Sequence, residues 1–118
     1  MGGSFRPEYR LRRPAEFAAV MNGSQRMRGE RFEVRFRRNE SSTARLGMII
    51  PKRLARRAVL RNLLKRLIRE AFRAIRPSLP AVDLVVRLSK APADDGPARP
   101  EQLAWRAEVD DLLAGLRR

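Results

Sequence analysis

The clearest pattern in the chain is a period-two alternation over Arg31-Phe32-Glu33-Val34-Arg35-Phe36-Arg37. It predicts a strand with Phe32, Val34 and Phe36 inward and the charges outward. A polar loop, Asn39-Glu40-Ser41-Ser42-Thr43, separates it from Leu46-Gly47-Met48-Ile49-Ile50, a more fully buried strand, and the two predict an antiparallel hairpin. A weaker strand precedes them around Ser24–Met27, and Val82–Leu88 forms another buried strand. Helical spacing appears three times. Pro14 opens a short helix with Phe17, Val20 and Met21 on one face, stopped by Asn22-Gly23. The longest signal runs from Arg56 to Arg76 and ends at Pro77, and a last helix opens near Pro100-Glu101 with Trp105, Val109, Leu112, Leu113 and Leu116 in step. Residues 1–13, with Gly2, Gly3 and Pro7, predict a flexible basic arm; 14–118 predict one domain, with a Pro-rich loop over 91–100. The order αβββαβα is an α+β domain, with one small, mostly antiparallel sheet packed by helices.

The long helix divides sharply. With Val59 at zero and ~100° per residue, Arg61, Asn62, Lys65, Arg66, Arg69, Arg73 and Arg76 fall within roughly 200–340°. Val59, Leu60, Leu63, Leu64, Leu67, Ile68, Ala71, Ala74 and Ile75 fall within roughly 0–180°. Glu70 on the apolar side and Phe72 at the basic edge break the split. A solvated helix face normally mixes signs, because like charges at i,i+4 repel. Here Arg61, Lys65, Arg69 and Arg73 form a ladder of one sign, which points to a polyanion.

Overall charge sharpens that inference. The 118 residues carry 27 Lys+Arg against 13 Asp+Glu, net +14. Residues 1–90 hold 23 basic and 7 acidic side chains, whereas 91–118 hold 4 and 6, so the partner belongs on the first three-quarters of the chain. Arg outnumbers Lys 24 to 3. Arg forks bind phosphate in pairs and stack on bases, although a high-GC genome enriches Arg too. The helix is basic along its whole length, which suits tracking phosphates rather than reading DNA bases from one end. No Cys is present for a disulfide or thiolate metal site. No apolar run approaches the ~20 residues of a membrane span, and the start lacks a signal-peptide apolar region. A cytoplasmic protein without a membrane partner is expected.

Catalytic chemistry is hard to find. There is no His, the commonest general base. Asp94-Asp95 lie in a Pro-rich loop and Asp110-Asp111 on the last helix, and neither pair is joined by other acids at the spacing of a two-metal nuclease's ligands. No catalytic residue and no protein metal ligand are expected.

Particular residues go further. Arg45-Leu46-Gly47, Pro51-Lys52-Arg53 and Ala58-Val59-Leu60-Arg61-Asn62-Leu63-Leu64-Lys65-Arg66-Leu67-Ile68-Arg69-Glu70 resemble the signature of bacterial ribonuclease P proteins. Arg10-Leu11-Arg12-Arg13 with Glu16-Phe17 is similar to the family's N-terminal segment, and Asp83-Leu84-Val85-Val86 to its last strand. The resemblance spans about residues 9–90 in consistent order. It implies a non-catalytic subunit that binds ribonuclease P RNA and precursor tRNA. The RNA would then hydrolyse the phosphodiester with Mg²⁺ to remove the 5′ leader, and no homo-oligomer is required. It implies Lys52, Arg53, Arg57, Arg61, Asn62, Lys65, Arg66 and Arg69 as contacts to the catalytic RNA, and Phe17, Met21 and Arg35 as the leader site. Phe17 suits either stacking on an unpaired base or packing on the sheet. Leu63 stands where the family often has Arg, Met21 where many relatives and Arg35 where some have an aromatic, and Pro51 where they have a small residue. The resemblance also implies a left-handed β-α-β crossover and a fold shared with a ribosomal protein domain, against the right-handed rule that holds in about 98% of cases.

Overall fold

Val82–Leu88 (β4) buries every residue except Arg87, which is half-buried. A strand that hides both faces must lie inside a sheet with a layer on each side. In the computed structural model, which describes residues 9–23, 25–92 and 99–117, it does. Around it stand α1 (Pro14–Gly23), β1 (Gln25–Arg28), β2 (Phe32–Arg38), β3 (Arg45–Ile49), α2 (Ala58–Ile75) and α3 (Arg99–Ala114). A single 3-10 turn, Arg76–Ser78, follows α2. Residues 1–8 of the expected arm and 93–98 of the expected loop lie outside the described residues.

The sheet order is β1-β2-β4-β3. The hairpin predicted between β2 and β3 does not form. β4 lies between them, antiparallel to β2 and parallel to β3, because the doubly buried strand takes the interior place. β2 makes its hairpin with β1 instead. The polar loop therefore crosses the end of β4, where the Asn39 amide N–H donates to Ala81 O (3.1 Å) and its side chain donates to Asp83 Oδ1 (2.8 Å). β3, α2 and β4 form the expected β-α-β unit with adjacent parallel strands.

Alternation along the strands makes two cores. Phe32, Val34, Leu46, Leu84, Val86 and Leu88 meet α2 and α3 through Leu60, Leu64, Ile68, Phe72, Trp105, Val109 and Leu113. On the other face, Val85 joins Leu11 and Val20 in a smaller cluster, flanked by Phe17, Met21 and Ile49. The charged face of β2 is thus partly roofed by α1, and Glu33, predicted to point outward into solvent, is only 3% exposed.

Two further expectations change. The buried arc of α2 is turned by about 60° from the predicted one: Phe72 is buried and Val59 is 76% exposed. Val59 lies in the first turn of α2, while the large Phe72 ring is enclosed farther along. Glu70, the odd acid on the apolar side, is exposed and faces Arg106 of α3 at 3.8 Å. Residues 9–13, predicted as part of a loose arm, are pinned to the outer edge of β3. Leu11 is buried and its N–H donates to Leu46 O at 2.9 Å, with a parallel bridge from Arg10 to Leu46. That covers an edge otherwise open to pairing.

α3 is latched by one carboxylate. Glu108 Oε2 accepts the backbone N–H groups of both Arg31 and Phe32 at 2.8 Å, and a Cβ at Gly29 would collide with it. Glu108→Ala leaves two part-buried donors without this acceptor. It is expected to destabilise the fold by about 1–3 kcal/mol, read as a lower urea midpoint, with Glu108→Gln losing less; an unchanged midpoint for the Ala variant contradicts the latch.

Candidate RNA interface

The basic helix enters from a tight loop. The N–H groups of Leu54 and Ala55 both donate to Pro51 O (3.0 and 3.1 Å), and Ala55 is fully buried. The turn leaves Lys52, Arg53, Arg56 and Arg57 exposed at the start of α2. Arg57 is the N-cap, with no side-chain cap and no acid in the first turn. Cations at the positive end of a helix dipole are unfavourable, and a phosphate placed there relieves the repulsion. Arg61 Nη1 donates to Ala55 O (3.1 Å) and Arg56 O (2.7 Å), so this guanidinium also holds the loop in shape.

The other expected contacts divide by exposure. Asn62 and Arg66 are exposed, while Arg61, Lys65 and Arg69 are half-buried along one flank. Farther along that flank Arg76 lies 4.0 Å over the Tyr9 ring and donates to Thr43 Oγ1 at 3.3 Å, an internal role. The structure therefore puts Lys52, Arg53 and Arg57 on the loop and helix cap, and Arg61, Asn62, Lys65, Arg66 and Arg69 on the polar side of α2.

The second surface is where α1 packs on the sheet. Phe17 lies against Gly47 of β3, where a Cβ would stand 2.5 Å from its ring. Only a glycine lets the ring sit this close. Phe17 is half-buried and packs against the sheet. Arg35 Nη1 donates to Met21 O at 2.7 Å, which fixes it at the end of α1. Phe17 and Met21 thus flank the Val85 cluster, and Arg35 is tied to the end of the same helix.

Sequence patterns missed the joint that holds the start of α1 to the sheet. Arg45 binds Asp83 through two hydrogen bonds of 2.8 Å and reaches Glu16 Oε2 at 3.3 Å. Glu16 Oε1 accepts the backbone N–H groups of Arg12 and Arg13 at the start of α1 (2.8 and 3.0 Å). Chiefly the Arg12 N–H, then that of Arg13, with Arg45 adding a smaller effect, holds the Glu16 carboxyl below its usual range. The Asp83 hydrogen bond raises Arg45 above its usual range. The partners lie 29 and 38 residues apart; only the near spacing of Glu16 to Arg12-Arg13 was visible locally. Among the described residues no group of three or more acids could hold a metal ion, and no helix is long and apolar enough to cross a membrane.

This architecture is shared with known proteins. The family model for ribonuclease P matches residues 5–108. The chain belongs to the ribonuclease P protein family. It is 43% identical to the ribonuclease P protein component of Aromatoleum aromaticum over 95% of this chain and 87% of that one. With the component of Bordetella petrii it shares 46% identity over 94% of each. The ribonuclease P protein of Staphylococcus aureus superposes with a TM-score of 0.80 at 29% identity, covering 93% of this chain and 98% of that one. The Thermotoga maritima protein gives 0.73 at 26% identity, over 92% and 98%. The family places the chain in the ribonucleoprotein nuclease of tRNA processing.

Because the Glu16 carboxyl titrates lower in the folded state than unfolded, its stabilisation is complete above the unfolded carboxylate range. That contribution is lost as pH falls through the lowered folded value. The denaturation midpoint is therefore expected to drop more for wild type than for Glu16→Gln between pH 6 and pH 3, on the order of the acid range for this group. Parallel losses contradict the joint. Gly47→Ala is expected to displace Phe17 and destabilise by about 1–3 kcal/mol, with Phe17→Leu partly restoring the melting temperature; an additive double variant contradicts the contact.

Proposed function

We propose that the chain is the RNA-binding, non-catalytic subunit of a ribonuclease P in which the RNA carries the chemistry. The loop-and-helix surface from Lys52 to Arg69 docks on the catalytic RNA, and the α1 cleft with Phe17, Met21 and Arg35 receives the 5′ leader of precursor tRNA. The observation that supports this reading most is the placement of α1 and α2 on opposite faces of one sheet. Two RNA segments can then be held at once without competing for the same side chains.

The chemistry follows from what these side chains can do. Exposed guanidinium and ammonium groups neutralise phosphates and release counterions, which raises affinity and lets two polyanions approach. Phe17 and Met21 offer an apolar platform to an unpaired base. Mg²⁺ supplies activation of water and stabilisation of the leaving oxygen when bound, and the RNA subunit mainly holds it. Glu16, Glu33 and Asp83 are all engaged by arginines, which does not fit a metal site on the protein. Cleavage leaves the 5′-phosphate on the mature tRNA. The protein acts in the cytoplasm, requires no homo-oligomer, and has neither DNA nor membrane as a partner.

Reconstitution at low Mg²⁺ tests the reading. Leader removal from precursor tRNA is expected to need both the chain and ribonuclease P RNA, and cleavage indifferent to the protein contradicts it. Arg66→Ala is expected to weaken RNA binding and lower the salt slope by about one while leaving helicity intact. Arg61→Ala is expected to weaken binding and also lower the melting temperature, because that guanidinium holds the loop. Lost helicity in Arg66→Ala would make the face structural.

A further inference from the structure

The sheet face beside α1 carries a second arginine cluster. Glu33 of β2 has a side chain only 4% exposed, and three guanidinium groups approach it: Arg26 of β1 at 3.5 Å, Arg35 of β2 at 3.5 Å and Arg87 of β4 at 3.8 Å. Register explains the convergence, since Glu33 pairs with Arg87 across β2–β4 and Arg35 pairs with Arg26 across β1–β2. Neighbouring strands lie about 4.8 Å apart, so the three cations occupy a patch of molecular width.

Stability does not account for three. One arginine neutralises a buried carboxylate, and like charges placed directly opposite, as Arg26 and Arg35 are, destabilise a strand pair. The cluster therefore holds a surplus of positive charge around its one acid. It is also loosely paired. Arg45 and Asp83 close into a bidentate pair at 2.8 Å, whereas Glu33 Oε1 and Arg35 Nε, buried and 3.5 Å apart, make no hydrogen bond. The side chains of Arg26, Arg35 and Arg87 keep 47%, 25% and 34% exposure, so each retains surface for an outside ligand. Arg35 is the bridge to the leader cleft, through its hydrogen bond to Met21 O.

We propose that Arg26, Arg35 and Arg87 form one phosphodiester-binding site for single-stranded RNA, and that buried Glu33 is the positioning residue that gathers them. The proposal rests on the leader reading above and extends it by a site that takes the backbone of the segment whose base lies against Phe17 and Met21. Glu33 itself does not touch RNA. It draws three mutually repelling guanidinium groups into one patch, leaving their outer donors for a phosphate.

Charge alone and positioning make opposite forecasts. Glu33→Gln removes a negative charge from an RNA-binding face, so simple electrostatics demands tighter binding. Positioning demands weaker binding. With the holoenzyme assembled from the full chain and ribonuclease P RNA, affinity is measured for precursor tRNA and for the same tRNA without its leader. Glu33→Gln and Arg87→Ala are each expected to weaken the leader-bearing substrate about tenfold, the loss of one charge-assisted hydrogen bond, and to leave leaderless tRNA unchanged. Glu33→Gln binding as tightly as wild type or tighter overturns the proposal, as does an equal loss on both substrates. Should Glu33→Gln fail to fold, Arg87→Ala, on a partly exposed side chain, decides by the same criterion. If wild type itself makes no distinction between the two substrates, the leader reading falls and takes this site with it. If wild type discriminates and the variants match it, only this site falls.

Discussion

Everything in this molecule is arranged around a strand that cannot be left exposed on either face. Val82, Leu84, Val86 and Leu88 point to one side of β4, and Val85 to the other. Burying both requires a helical layer above and below the sheet. That requirement sends α1 to one face and α2 with α3 to the other, and it moves β4 between β2 and β3. The separation of the two arginine-rich surfaces is a consequence of this packing.

A chain of net +14 needs its acids where they hold elements together. Glu108 ties α3 to the β1–β2 turn, and Asp83 with Glu16 clamps Arg45 between the sheet and the start of α1. Glu33 gathers arginines from three strands. These carboxylates act at joints, where part-burial strengthens a hydrogen bond. The loop before α2 and the outer side of that helix have no acid of their own until Glu70, which faces Arg106. The uncompensated charge therefore accumulates on the surface assigned to the catalytic RNA.

What the sequence revealed follows the range of each interaction. Val82–Leu88, α1 and the basic helix were legible because their periodicities are local, and the motif from Arg61 to Glu70 identified the family before any coordinates. Strand neighbours were not legible: β2 and β3 are adjacent in sequence, but the apolar demand of a strand 33 residues past the end of β3 separates them. Glu33 looked like an outward charge because its alternation says which face it takes, not that α1 and three arginines cover that face. Val59 misled in the opposite sense, since an apolar residue in a first turn need not reach a partner. The helical angle of Arg61 puts it on a polyanion face and the family motif makes it an RNA contact, but its second role in closing the loop requires the carbonyls of Ala55 and Arg56 to be in place.

Whether two faces of one sheet hold two different RNAs, as proposed, is directly measurable because the chain has no cysteine. Single cysteines at Ala18 on α1 and at Asn62 on α2, both exposed, can each carry a tethered RNA-cleaving reagent in the assembled holoenzyme with precursor tRNA bound. The α1 tether is expected to cut the 5′ leader and the α2 tether to cut ribonuclease P RNA. Cuts in the same RNA from both positions would contradict it.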